Sequence, residues 1–138
     1  MAVGNKDVLA GLAKVKSNVD SGVFTAIQFA AIEALKRGAD LKPEFNKQYA
    51  QRRDVLLGGL NDAGWKIPKP VATFYVWAPV FGEYDSASLA KALLEKTDIV
   101  VTPGSGFGKN GEGYVRMALT VGPDKLREAV GRVKEKFF

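Results

Sequence analysis

Apolar positions recur with a helical period through the first sixty residues of this chain, and with a strand-like period in several stretches after that. Val8, Leu12 and Val15 predict a short amphipathic helix that Asn5 can cap. The polar run Ser17–Gly22 reads as a turn. Val23, Ala26, Ile27, Ala30, Ala31, Ala34 and Leu35 then form the broad apolar face of a second helix, with Gly38 suited to the position just past its end. A third helix is expected from Pro43, a favourable first helical residue, to Ala63, with Gly64 as its stop. Phe45, Tyr49, Val55 (or the stem of Arg52), Leu56 and Leu60 would line one side of it. Gly58 and Gly59 inside this helix each cost about 1 kcal/mol relative to alanine. They predict close packing, a bend, or merely a tolerated weak spot.

From Trp65 the pattern shortens. Trp65-Lys66-Ile67, followed by Pro68 and Pro70, and then Thr73–Ala78, rich in β-branched and aromatic residues, read as strands. Asp85 or Ser86 would cap a helix through Lys96 that buries Leu89, Leu93 and Leu94. Ile99–Thr102 is expected as a short buried strand, Pro103–Gly113 as a glycine-rich loop, and Tyr114–Thr120 as another strand. The last helix has Pro123 in its first turn and Leu126, Val130, Val133 and Phe137 on one face. Three helices, two strands, a helix, two strands and a helix predict an α+β fold, a small sheet with helices packed on one face. The first forty residues fit that layout poorly. The expected division is therefore 1-40 and 41-138, with the long third helix bridging the two parts.

Composition narrows the chemistry. The 138 residues suit one domain and include no cysteine and no histidine. Disulfides, thiolate or imidazole metal sites, and Ser-His-Asp or Cys-His catalysis are thereby excluded from this chain, so no metal site is expected. Lys+Arg number 20 against 15 Asp+Glu, a formal charge of +5. These cations are scattered among acidic residues, the arrangement of a solvated surface rather than of a nucleic-acid stripe. No segment approaches the roughly 18 consecutive apolar residues of a membrane span. A soluble, cytoplasmic protein with neither nucleic-acid nor membrane partners is expected.

Three features could carry function. Strand alternation sends Val115, Met117 and Leu119 to one face, and Tyr114, Arg116, Ala118 and Thr120 to the other. A guanidinium in a mostly apolar strand needs an anionic partner, either a bound carboxylate or phosphate or an Asp or Glu of this chain. On position alone the two stand level. The loop Gly104–Gly113 begins as G-x-G but leads into a strand. It therefore lacks the helix N-terminus of a phosphate cradle, and a mobile loop near a cleft fits better. Thr73–Trp77 could wall a ligand, although aromatic residues in a strand more often form core.

Taken in order, several stretches resemble the C-terminal third of class I/II (fold type I) aminotransferases. Ala2-Val3-Gly4-Asn5 is similar to the G-N ending of the family's lysine segment. Lys14–Ala31 (KVKSNVDSGVFTAIQFAA) resembles the helix pair that follows, and Arg52-Arg53-Asp54 with Leu56 and Leu60 the R-R-D-x-L helix. Pro70–Pro79 (PVATFYVWAP) resembles P-x-(G/A)-x-F-Y-x-W, Val101–Gly108 (VTPGSGFG) resembles V-x-P-G-x-x-F-G, and Tyr114–Leu119 (YVRMAL) resembles Y-x-R-(I/L/F). The Asp20-Ser21-Gly22 stretch looks most like LL-diaminopimelate or aspartate-type enzymes.

The resemblance implies an aspartate-aminotransferase-like C-terminal small domain, preceded by helices belonging to the large cofactor domain. It implies that Arg116 grips the α-carboxylate of an amino acid or 2-oxo acid, and it tips the balance left open above. It also implies pyridoxal 5'-phosphate in the full-length enzyme and homodimers. The family's Schiff-base lysine would precede the G-N ending, and so would most cofactor contacts. The isolated chain is therefore expected to be inactive and to bind no cofactor specifically, with no catalytic residue of its own. The alternative is a stand-alone, non-catalytic α+β binding or interaction module.

Overall fold

The computed structural model describes residues 2–138, which divide into two compact units, one ending at Pro43 and the other Glu44–Phe138. In the first unit, α1 (Lys6–Lys16) opens on Asn5, whose side chain accepts the N–H groups of Asp7 at 2.9 Å and Val8 at 3.2 Å, as its sequence predicts. The Asp20 carboxylate then orders the turn, taking Lys16 Nζ at 2.6 Å and the Gly22 N–H at 2.7 Å. Helix α2 is Thr25–Lys36, and neither helix contains a buried residue. Val8, Leu12, Val15, Ile27 and Leu35 are all exposed.

Gly38 stands just past the Arg37 C-cap of α2, as its sequence predicts. It also begins α3 (Gly38–Ala63), so this helix starts ahead of Pro43 rather than at it. Near a helix start proline removes a single intrahelical bond, and the carbonyl it abandons, that of Ala39, belongs to an exposed residue. The other end is closed as expected. Gly64 adopts φ +112°, Trp65 N–H bonds Leu60 O at 2.9 Å and Gly64 N–H bonds Asn61 O at 3.1 Å. This is the left-handed glycine stop with its hydrophobic clasp, since Trp65 and Leu60 are both buried.

The two glycines of α3 differ. A Cβ on Gly58 would meet nothing within 4 Å, whereas one on Gly59 would lie 2.5 Å from Val130 Cγ1. Close packing explains Gly59, and Gly58 is the tolerated weak spot. The buried face of α3 is Leu56, Leu57 and Leu60; Phe45 is exposed, because the helix meets the core only from Tyr49 onwards.

Three antiparallel strands, β1 (Tyr75–Pro79), β2 (Thr102–Pro103) and β3 (Tyr114–Ala118), pair in the order β1-β3-β2. Val76, Ala78, Val115 and Met117 share one face in register and pack against α3, α4 (Ser86–Thr97) and α5 (Pro123–Phe137). This is the α+β arrangement with helices on one face. Leu89 and Leu93 of α4 and Leu126 and Val133 of α5 are buried, while Val130 and Phe137 pack at the margin. Leu94 falls off the buried stripe and is exposed.

Two expected strands change. Trp65–Ile67 forms none: Asn61 takes the Ile67 N–H at 2.8 Å and gives its amide to Ile67 O at 3.2 Å, so a side chain replaces a ladder. Ile99–Thr102 contributes only Thr102 to β2, and Val100 is 81% exposed. Asp98 takes a left-handed φ of 54° as the C-cap of α4, and the chain is still leaving that cap at Ile99, whose N–H bonds Leu93 O at 3.4 Å. No helix among the described residues is long and apolar enough to cross a membrane.

Candidate functional site: the open face of the sheet

The helices cover one face of the sheet, and the opposite face carries the candidate chemistry. On β1 the side chains of Tyr75 and Trp77 point away from the core that holds Val76 and Ala78. The register places Trp77 opposite Arg116, with Thr102 of β2 opposite Arg116 on its other side. Strand alternation in β3 thus falls as its sequence predicts, with Val115 and Leu119 buried, and Tyr114 and Ala118 exposed beside a partly buried Arg116. The aromatic stretch Thr73–Trp77 is divided between the roles it could play: Val76 is core, while Tyr75 and Trp77 form a wall.

Arg116 is held by rings. Its guanidinium carbon lies 4.2 Å from the Tyr75 ring centre and 4.5 Å from that of Phe107. Trp77 stacks on Tyr114 at 5.6 Å and meets Phe107 edge-on at 5.7 Å, closing an aromatic surround. Each cation–ring contact is worth about 0.5–2 kcal/mol, rising as water is excluded, and consumes none of the five N–H donors. Among the described residues no carboxylate lies within ion-pair distance of Arg116 and no acceptor takes its hydrogens. Three other arginines of this unit are used differently. Arg52 donates to Leu119 O at 3.1 Å, Arg53 pairs with Asp54 at 2.9 Å, and Arg132 donates to Thr97 O at 2.7 Å.

The glycine loop is a folded device. It forms two 3-10 turns, Gly104–Phe107 and Lys109–Gly111. A Cβ on Gly104 would collide with the Gly111 carbonyl, and one on Gly111 with that of Gly104. These glycines exist so that two backbones can touch, and no space for a phosphate remains between them.

The loop is fastened to α4. The buried Ser86 hydroxyl accepts the N–H groups of Gly113 at 2.9 Å and Tyr114 at 3.2 Å. The Glu112 carboxylate accepts those of Ser86 at 2.8 Å and Gly113 at 2.9 Å. The Ser86 N–H, and next that of Gly113, hold the Glu112 carboxyl below its usual range. Across the same helix start, Asp85 and Ser88 form a capping box, and the Ser88 hydroxyl lowers the Asp85 pKa.

Tyr75 belongs to the aromatic stretch that the sequence offers as a wall, whereas Phe107 and Thr102 escape a reading of the sequence, although an aromatic residue inside a polar glycine loop was a usable signal for Phe107. A separate cleft of about 340 Å³, lined by Leu93, Ile99, Val101, Met117 and Leu126 among others, opens near the α4 end and involves none of the rings around Arg116. Every described lysine is exposed.

Known proteins fit this geometry. Residues 1–133 match the family model described as aminotransferase class I and II. LL-diaminopimelate aminotransferase of Natranaerobius thermophilus is 51% identical over 135 residues, 98% of this chain and 35% of that protein. The enzyme of the same name from Nitratidesulfovibrio vulgaris is 52% identical over 134 residues, 96% and 34% respectively. Among solved structures, substrate-bound BacF of Bacillus subtilis superposes with a TM-score of 0.87 at 33% identity, covering 99% of this chain and 35% of that one. A Thermus thermophilus aspartate aminotransferase variant gives 0.82 at 30% identity, covering 97% and 37%. The chain spans about a third of the length of the curated relatives it matches. It belongs to the class I and II aminotransferase family.

Proposed function

We propose that this chain forms the C-terminal part of a pyridoxal-phosphate-dependent aminotransferase of the LL-diaminopimelate type, in which Arg116 binds the α-carboxylate of the amino or 2-oxo acid. The observation that supports this reading is a guanidinium fixed between aromatic rings with no acid among the described residues to neutralise it. Tyr75 and Phe107 cover part of the cation, which strengthens its attraction for an anion, and the planar fork matches a carboxylate through two parallel bonds.

The described residues do not themselves fit the cofactor. Pyridoxal phosphate requires a lysine for its Schiff base, held where the amine can lose its charge, together with a phosphate cradle. All described lysines are exposed, and the glycine loop is filled by its own backbone. We assign the cofactor contacts to the part of the relatives that this chain does not span. The first forty residues belong with that part, residues 41-138 form the small domain, and the assembly is a cytoplasmic homodimer.

The test is Arg116→Ala in the complete enzyme. Loss of a desolvated, charge-assisted pair costs about 2–5 kcal/mol, so kcat/KM should fall roughly thirtyfold to several thousandfold while the melting temperature falls only by what the two lost ring contacts account for. Arg116→Lys should rescue little. Intact kinetics in a destabilised protein would make Arg116 structural.

A further inference from the structure

Among the described residues nothing polar orients Arg116, so its direction depends on the two rings that touch it. Tyr75 is fixed by the sheet ladder, and its N–H is held by the Thr73 hydroxyl at 3.2 Å. Phe107 is different. It ends a 3-10 turn in a loop, is 51% exposed, and depends on whatever holds that loop in place. Two side chains do so. Ser86 joins the first turn of α4 to Gly113 and Tyr114, and gives its own hydrogen to Gly111 O at 3.4 Å. Glu112 clamps the same helix start through the Ser86 N–H. Gly111 in turn rests backbone to backbone on Gly104, the first residue of the turn that ends in Phe107.

We propose that Glu112 and Ser86 are positioning residues for Arg116. They fasten the glycine loop to the start of α4 and so seat the Phe107 ring on the guanidinium. Their purpose rests on the carboxylate reading given above, but the positioning link can be measured without it. An arginine side chain free of such contacts samples many rotamers, and ordering it at the moment of binding costs affinity. Glu112 also lies at the positive end of α4, where a carboxylate is favoured, so its removal frees an N–H that the helix cannot satisfy internally.

The experiment follows the Arg116 Nε–H resonance of the 138-residue chain, assigned by its absence in Arg116→Ala. Ring currents from Tyr75 and Phe107 should displace it upfield. Glu112→Ala should return it part of the way downfield, Glu112→Gln should hold it near the native position, and Glu112→Ala should add nothing in a Phe107→Ala background. The Trp65 Nε1–H, bonded to Pro79 O at 2.7 Å on the core side, reports whether the fold persists. If Glu112→Ala loses that signal, Glu112→Asp, which shortens the arm but keeps the charge, replaces it with the same expectation. An unmoved Arg116 resonance in a folded variant overturns the proposal, as does an equal shift with and without Phe107. Titration with succinate separates the two claims. A complete enzyme that ignores succinate refutes the carboxylate reading and leaves the Phe107 link standing. A response whose midpoint rises severalfold in Glu112→Ala supports both.

Discussion

Replacing Gly58 and Gly59 by alanine, one at a time, should change stability in opposite directions. Both lie inside α3, so each substitution removes the same backbone penalty and gains about 0.8–1 kcal/mol of helix propensity. Gly58 faces open space and keeps the whole gain. At Gly59 the new methyl would lie 2.5, 3.1 and 3.3 Å from the Cγ1, Cγ2 and Cβ of Val130 on α5. A β-branched residue in a helix has one favoured rotamer and cannot swing aside, so the two helices must separate, at an overpacking cost of about 1–3 kcal/mol. Because propensity cancels between the variants, their difference isolates the packing cost. At roughly 4 °C per kcal/mol for a chain of this size, the melting temperatures should differ by about 4–12 °C, with Gly58→Ala the higher. Circular dichroism melts on both proteins check this, and Val130→Ala should relieve most of the Gly59→Ala defect in a double-mutant cycle. Equal melting temperatures for the two variants would refute the close approach of α3 and α5.

Three further outcomes are expected. The chain should self-associate through the exposed apolar residues of α1 and α2, so sedimentation should show dimers or larger species, and a strict monomer at high concentration would contradict it. Asp54 is lowered to about 2 by Arg53 first and Lys69 second; its folded pKa lies below its unfolded one, so its contribution is present above pH ~4 and fades as pH falls towards 2. Asp54→Asn should therefore lose less melting temperature than the native chain over that window. Mixed with pyridoxal phosphate, the chain should give no stoichiometric absorbance band from one lysine, and such a band would overturn the assignment of cofactor contacts elsewhere.

The sequence was most readable where one local signal decides the structure. Asn5, Gly64 and Asp85 end or begin helices through their own side chains or φ angle, and each does so where its residue type predicts. The alternation around Arg116 was equally plain, because a two-residue period leaves a charged side chain only one face. What stayed hidden depends on contacts distant in sequence. Nothing local shows that Asn61 satisfies Ile67 in place of a strand partner, or that the cap at Asp98 delays β2 until Thr102. The glycine loop misled for a related reason. Glycine signals either backbone freedom or close approach, and only the contact between Gly104 and Gly111 tells which. Phe107 reaches Arg116 through that fold of the loop, so its role follows from tertiary structure and not from spacing.

The central claim, that Arg116 receives the substrate carboxylate, is tested most directly by a structure of the complete enzyme with a substrate or dicarboxylate analogue bound. The account predicts that both terminal nitrogens of Arg116 lie about 2.7–2.9 Å from two oxygens of one carboxylate, with the Tyr75 and Phe107 rings still against the guanidinium. An analogue whose carboxylates engage other residues while Arg116 remains held only by its rings would contradict it.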